Sequence, residues 1–308
     1  MGGSWWSARP TCTATMLTSS VFTGLSWNPA TDVHSLFTYP FMQHALAAGT
    51  IVAVMAGLIG WFMVLRRQSF AGHTLSVMAF PGAAGASLAG VPLAAGYYLA
   101  CGAAALAMAA GGRSGRQSHS SETATIGVVQ ATGLALGFLF LSLDKNVLGG
   151  LENLLFGTFL GITPGQVLTL LVVACLVIAV LAVAGRPLLF ASIDPGVARA
   201  HGVPVGWLST GFLLVLGLAI AATAQITGAL LVFALLVAPA ASAQVITTRP
   251  AAGLALTVAL GLLTTWLGLG LAYFSPYPVG FFITTVAFAV YALAHLLRLA
   301  RARAREKI

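Results

Sequence analysis

The chain is predicted to be all-α, a polytopic integral membrane helical bundle of eight to nine transmembrane helices, on three observations. It is 59% hydrophobic and only 6% charged, its mean hydropathy is +0.97, and nine apolar segments of near-spanning length follow one another along its 308 residues. A soluble domain carries about 25% charged residues, so this chain cannot build an aqueous surface. About 20 apolar residues cross the hydrocarbon layer of a bilayer as a helix.

The segments fall at roughly 41–65, 70–90, 92–111, 123–143, 164–185, 206–224, 226–247, 252–273 and 278–298. Between them lie Arg66-Arg67, Val91-Pro92, the stretch 111–122, the stretch 144–161, the stretch 186–204, the break at Ala224–Gln225, Thr247–Pro250 and Phe274–Pro278. Three regions follow: a polar N-terminal segment 1–40, external or interfacial; a transmembrane domain 41–298; and a basic cytoplasmic tail 299–308. The first region lacks the positive, apolar, small-residue order of a cleaved signal peptide, and Met16 and Met42 are alternative starts. Pro239 should break or bend a late helix, because it removes a backbone donor and crowds the preceding turn. Gly82, Ala86 and Gly90 sit at four-residue spacing, a small-residue face that lets two helix backbones approach.

Net charge is +8, yet the basic residues punctuate spans and form no long block, so the pattern marks topology and not nucleic-acid binding. With Arg66-Arg67 placed in the cytoplasm and sides alternating, Arg113, Arg116, Arg186, Arg199, Arg249 and the basic tail fall inside. Only Arg9 and Lys145 are external, against the acids Asp32, Asp144 and Glu152, which puts the N-terminus outside and the C-terminus inside. Cys12, Cys101 and Cys175 are widely separated and suggest neither a disulfide framework nor a thiolate metal site.

No phosphate-binding GxxxxGK[ST] loop, HExxH or nucleophile elbow is present, so the chain is expected to be no enzyme and to have no nucleotide site of its own. Between Arg199 and Arg249, and between Arg249 and Arg298, there is no Asp, Glu, Lys or Arg. Ion-driven carriers bury ionisable groups in their spans to bind the coupling ion. A transporter without them draws energy from elsewhere, most simply a partner ATPase; an ATP-independent secondary carrier and a membrane scaffold are the rival readings.

Four ordered motifs sharpen this reading. They are Trp61–Ser76 followed by Phe80-Pro-Gly82; Leu154-Leu-Phe-Gly157 with Ile162-Thr163; Arg186–Gly202; and Gly228-Ala-Leu-Leu-Val running on to Leu236–Ala243. Over about residues 41–295 the chain resembles the zinc/manganese-type metal-ion ABC transporter permease family. The resemblance implies a homodimer with its path at the dimer interface, a cytoplasmic ABC ATPase that uses the ATP, an extracytoplasmic metal-binding protein, and transported Zn2+ or Mn2+ with no cofactor bound by this chain. A chelate or another small solute is the alternative cargo.

The 186–202 stretch is a Pro-bounded turn of helix, with Ile193, Val197 and Ala200 apolar and Asp194, Arg199 and His201 polar; Asp194 before Pro195 reads as an N-cap. Its plain reading is a solvated loop. The resemblance makes it the ATPase-coupling helix, with Ala191, Ser192, Ile193, Asp194, Pro195, Val197, Arg199 and His201 as the contact. The family's second helix typically reads Gly-Asp-x-Leu-x-His; here His73 and Val77 hold the Asp and His positions, and a further family histidine matches Ala131. A neutral imidazole suits zinc, so His73 is the candidate metal ligand, with Ser76, Gln130 and Thr132 as pathway neighbours. A packing histidine is the other reading. Asp32, His34, His44, Asp144 and Glu152 are expected near the outer face, as cation-concentrating groups or as solvated termini. His119 and His295 are expected on the cytoplasmic side. Trp27, Tyr39, Tyr273, Phe274 and Tyr277 fit an outer aromatic belt.

Overall fold

The structure, a computed structural model, describes residues 39–112, 119–143, 157, 161–275 and 277–306. Arg9, Cys12, Trp27, Asp32, His34, Arg113, Arg116, Asp144, Lys145, Glu152 and the Leu154–Phe156 part of the second motif lie outside the described residues, as does nearly all of the 1–40 region. The described chain forms ten helices: α1 (Pro40–Leu65), α2 (Ser69–Leu88), α3 (Leu93–Gly112), α4 (His119–Leu143), α5 (Pro164–Ile193), α6 (Pro195–Ala200), α7 (Val205–Thr227), α8 (Ala229–Ile246), α9 (Pro250–Tyr273) and α10 (Val279–Glu306). Eight of them are long and apolar enough to cross a membrane; α2 and the six-residue α6 are not among these.

Local chemistry explains where the helices start and stop. Proline occupies the first turn of α1, α5, α6 and α9, where its missing N–H costs nothing. At α5 the Thr163 hydroxyl accepts from the Gln166 N–H while Gln166 Oε1 accepts from the Thr163 N–H, a reciprocal capping box. α2 ends in a left-handed turn at Gly90 (φ 68°), with the Val91 N–H donating to Ala86 O and the Gly90 N–H to Ser87 O. Gly90 therefore terminates the helix and does not extend its small-residue face.

Three expectations are corrected. α5 does not stop at Arg186; it runs through Pro187 to Ile193. The break between the two helices of the 206–247 stretch lies at Gly228, not Ala224–Gln225. α8 is continuous through buried Pro239, so the interruption sits eleven residues earlier, at a glycine with φ 77° and ψ 157° that an L side chain rarely adopts.

The ends of the helices sort into two faces. At one lie the close of α1 and the opening of α2, with Arg66 and Arg67; the close of α5 and all of α6; and the openings of α7 and α9. Arg249, Arg298 and Arg301 stand together at the same end. At the opposite end, Tyr39 faces Tyr273 at 6.4 Å and Tyr273 packs edge-on against Phe274 at 4.9 Å. The arginines thus gather at one end and these aromatic rings at the other.

Within this frame α2 is the inner helix, packed by α3, α4, α7 and α8. It is the least suited of the long helices to face lipid, since it carries His73, Thr74 and Ser76, and most of its residues are buried. Its 20 residues rise about 30 Å, end to end across the bundle. Gly82 of α2 meets Gly96 of α3: a Cβ on Gly82 would run into the Gly96 carbonyl oxygen and the Ala100 methyl, and one on Gly96 into the Gly82 carbonyl. The Cys101 thiol of α3 donates to Leu75 O of α2 at 3.4 Å, locking the same crossing. Gly82→Ala is expected to cost about 1–3 kcal/mol by overpacking, whereas Gly102→Ala, where a Cβ meets nothing within 4 Å, is expected to be neutral or to gain about 0.5–1 kcal/mol. Thermal unfolding of the two variants in detergent compares them directly.

Candidate functional site

α2 places its polar residues on different faces. His73 is half-buried, and its Nδ1 is shielded from solvent without a hydrogen-bond partner. The ring stands edge-on to Phe233 of α8, with centroids 4.8 Å apart and an interplanar angle of 65°. Leaving a buried polar atom unpaired costs about 1–3 kcal/mol, a cost that a ligand reaching the nitrogen would remove. Thr74, one residue on, donates from its hydroxyl to Gln130 Oε1 of α4 at 2.9 Å. Ser76 is buried and its hydroxyl donates to Gly72 O of its own helix at 3.0 Å. Thr132 is exposed on α4 and lines an apolar hollow of about 590 Å³ with Met78, Gly82, Leu99 and Phe140.

The four pathway residues expected from sequence are therefore not one cluster. Gln130 reaches α2 through Thr74, a residue the sequence reading did not select, and the neighbour of His73 is Phe233, for which no motif gave a signal. Val77 is half-buried and Ala131 exposed. Among the described residues no three His, Cys, Asp or Glu side chains gather as a metal-holding group. The arrangement offers a cation one imidazole nitrogen on α2, with the hydroxyl and amide oxygens of Ser76, Gln130 and Thr132 placed apart from it. Such donors suit an ion that must leave as readily as it enters.

At the far end from the arginines, Tyr97, Tyr98, Thr163, Gln166, Thr169 and Gln225 line a second hollow of about 600 Å³. The Tyr98 hydroxyl is buried there without a partner, and among the described residues no charged side chain lines the space. His44 is half-buried on α1. His295 of α10 lies at the arginine-bearing half, with Nδ1 3.2 Å from Tyr291 O.

The basic end carries the other candidate feature. Asp194 closes α5 and opens α6: its Oδ1 accepts from the Gly196 and Val197 N–H groups, each at 2.9 Å. His201 Nδ1 lies 3.0 Å from Val197 O, and the ring packs edge-on to Phe190 at 5.8 Å. Buried Ala191 and Ala198 seat the segment, while Ile193 (69% exposed), Val197 (42%), Pro195 and Arg199 point away from the bundle. Ser192 connects it inward, since the Arg66 guanidinium donates to its Oγ at 3.3 Å and lies 5.3 Å over the Phe212 ring. One guanidinium thus ties α1, α5 and α7 directly behind α6, beside a groove of about 700 Å³.

Comparison with known proteins gives concordant matches. Residues 38–298 match the ABC 3 transport family (ABC-3). The chain is 29% identical over 259 residues to the manganese transport system membrane protein MntC of Halalkalibacterium halodurans, covering 84% of this chain and 88% of that protein. It is 30% identical over 255 residues to the chelated iron transport system membrane protein YfeC of Yersinia pestis, covering 83% and 85%. Among solved structures it superposes on PsaBC from Streptococcus pneumoniae in complex with Fab with a TM-score of 0.75 at 25% identity, over 86% of this chain and 94% of that one.

Asp194→Ala is expected to cost α6 about 1 kcal/mol by removing its N-cap, read as faster amide exchange at Gly196 and Val197. Asp194→Asn, which keeps an acceptor oxygen, is expected to retain most of the protection.

Proposed function

The chain belongs to the ABC 3 transport family, and on that premise we propose that it imports a divalent metal ion, zinc or manganese, along a path that includes His73. It is a multi-pass protein of the cytoplasmic membrane and the permease component of an ABC transporter. The observation that carries the reading is the unpartnered His73 Nδ1, held on the inner helix of a bundle whose later spans contain no charged side chain for 48 residues at a stretch, from Arg249 to Arg298. A relative named for manganese supports a bare ion.

In the mechanism we infer, an extracytoplasmic binding protein delivers the ion at the aromatic end, where the neutral hollow around Tyr98 and Gln225 receives it. Two copies of the chain form the path between them. A separate cytoplasmic ATPase presses on the outward residues Ile193, Pro195, Val197 and Arg199, and α6 passes the movement to α5 through Asp194 and to α1 and α7 through Ser192 and Arg66. The ion exchanges part of its hydration for the His73 nitrogen and meets Gln130, Thr132 and Ser76 separately, at other points of the path. None of these holds it tightly. A chelated metal is the second reading: the family's Asp and His positions are here His73 and Val77, a thin donor set for a bare ion, and one relative is named for chelated iron.

Isotopic manganese and zinc uptake in a strain deleted for the chain tests this. His73→Ala is expected to lower uptake roughly tenfold, equivalent to about 1.4 kcal/mol, with membrane abundance unchanged. Ile193→Asp is expected to abolish uptake and metal-stimulated ATP hydrolysis together. Uptake that persists without the ATPase and collapses with the proton gradient would instead identify a secondary carrier.

A further inference from the structure

We propose that the basic end carries a binding site for a phosphate-bearing, anionic lipid headgroup, formed where the close of α8 and the opening of α9 meet the last turns of α10. These three helices pack on one another, and at their junction a hollow of about 630 Å³ is lined by Thr247, Thr248, Arg249, Leu297, Arg298 and Arg301 among others. Three arginines line one space, and among the described residues no Asp or Glu lines it.

An arginine at the end of a membrane span extends alone toward water. Bringing three to one hollow instead sets like charges against each other, a cost that an anion between them removes. Guanidinium forks match phosphate oxygens in pairs, which an ammonium cannot do. The same turn opens α9, a 24-residue helix with proline in its first turn and no side chain capping it, so its positive dipole end reinforces the three charges.

The walls decide the source of the phosphate. Beneath the arginines the hollow is apolar, with Val245, Ile246, Ala294 and Leu297. Ile246 (37% exposed) and Leu297 (44%) carry this apolar wall out to the surface, where lipid chains can cover it. A headgroup on the arginines with its chains along Ile246 and Leu297 fits both halves; free phosphate uses only the rim. The apposition of α8, α9 and α10 would then be set partly by the lipid bound at their junction.

Native mass spectrometry of the detergent-purified full-length chain, offered phosphatidylglycerol or phosphatidylcholine with identical acyl chains, tests the site. Wild type is expected to retain phosphatidylglycerol at least tenfold better than phosphatidylcholine. Arg249→Gln, Arg298→Gln and Arg301→Gln combined are expected to remove that preference, while Arg186→Gln leaves it intact and excess inorganic phosphate fails to displace the lipid. Equal retention of both lipids by wild type, or an undiminished preference in the triple variant, would overturn the proposal. Displacement of the lipid by inorganic phosphate would reassign the hollow to a soluble anion. If the triple variant does not assemble, Arg301→Gln alone together with the wild-type lipid comparison decides the question, a several-fold loss of preference being expected.

Discussion

A helix that is too polar to face lipid can stay in a membrane only if other helices wrap it, and wrapping at short range requires that backbones touch. The Gly82–Gly96 crossing meets that requirement for α2. It brings α3 close enough for the Cys101 thiol to reach Leu75 O, and α4, α7 and α8 close the remaining faces. Because lipid supplies no hydrophobic drive between helices, such close contact is what holds them together. The position of His73, Thr74 and Ser76 inside the bundle follows from this contact, with the Thr74–Gln130 hydrogen bond added to it.

A six-residue helix needs a firm joint to keep its place, and α6 has one. Asp194 serves two helices at once, ending α5 and capping α6. Arg66 adds a crosslink of a different kind, part hydrogen bond to Ser192 and part cation over the Phe212 ring. Both lie where side chains meet water, which keeps their charges cheap to maintain.

Much of this architecture was legible in the residues. Apolar length gave the nine long helices of the described residues, because a span has few ways to satisfy its backbone other than a helix, and the arginines marked which helix ends share a face. Asp194-Pro195 announced its cap. What escaped detection depended on contacts between distant segments. Pro239 reads as a breaker, yet α8 stays helical through it, since a buried proline removes one hydrogen bond without ending a helix that neighbours hold in place. Gly228, one glycine among 35, carries no local mark of the φ it adopts. The extension of α5 past Pro187 likewise depends on the seat that Leu188 and Ala191 find in the bundle. At the site, His73 was visible from its family position, but Thr74 and Phe233 became evident only when α4 and α8 were placed against α2.

Gly228 separates two helices, of 23 and 18 residues, by a single residue. Gly157 presses against it so closely that a methyl group there would strike the Ile226 carbonyl and the Thr227–Gly228 peptide. So short a joint leaves the start of α8 fixed by the end of α7 and by the backbone of Gly157 wedged against it. Any side chain added at Gly157 would push on that joint, and five residues further on stands Phe233, the ring that leans on His73.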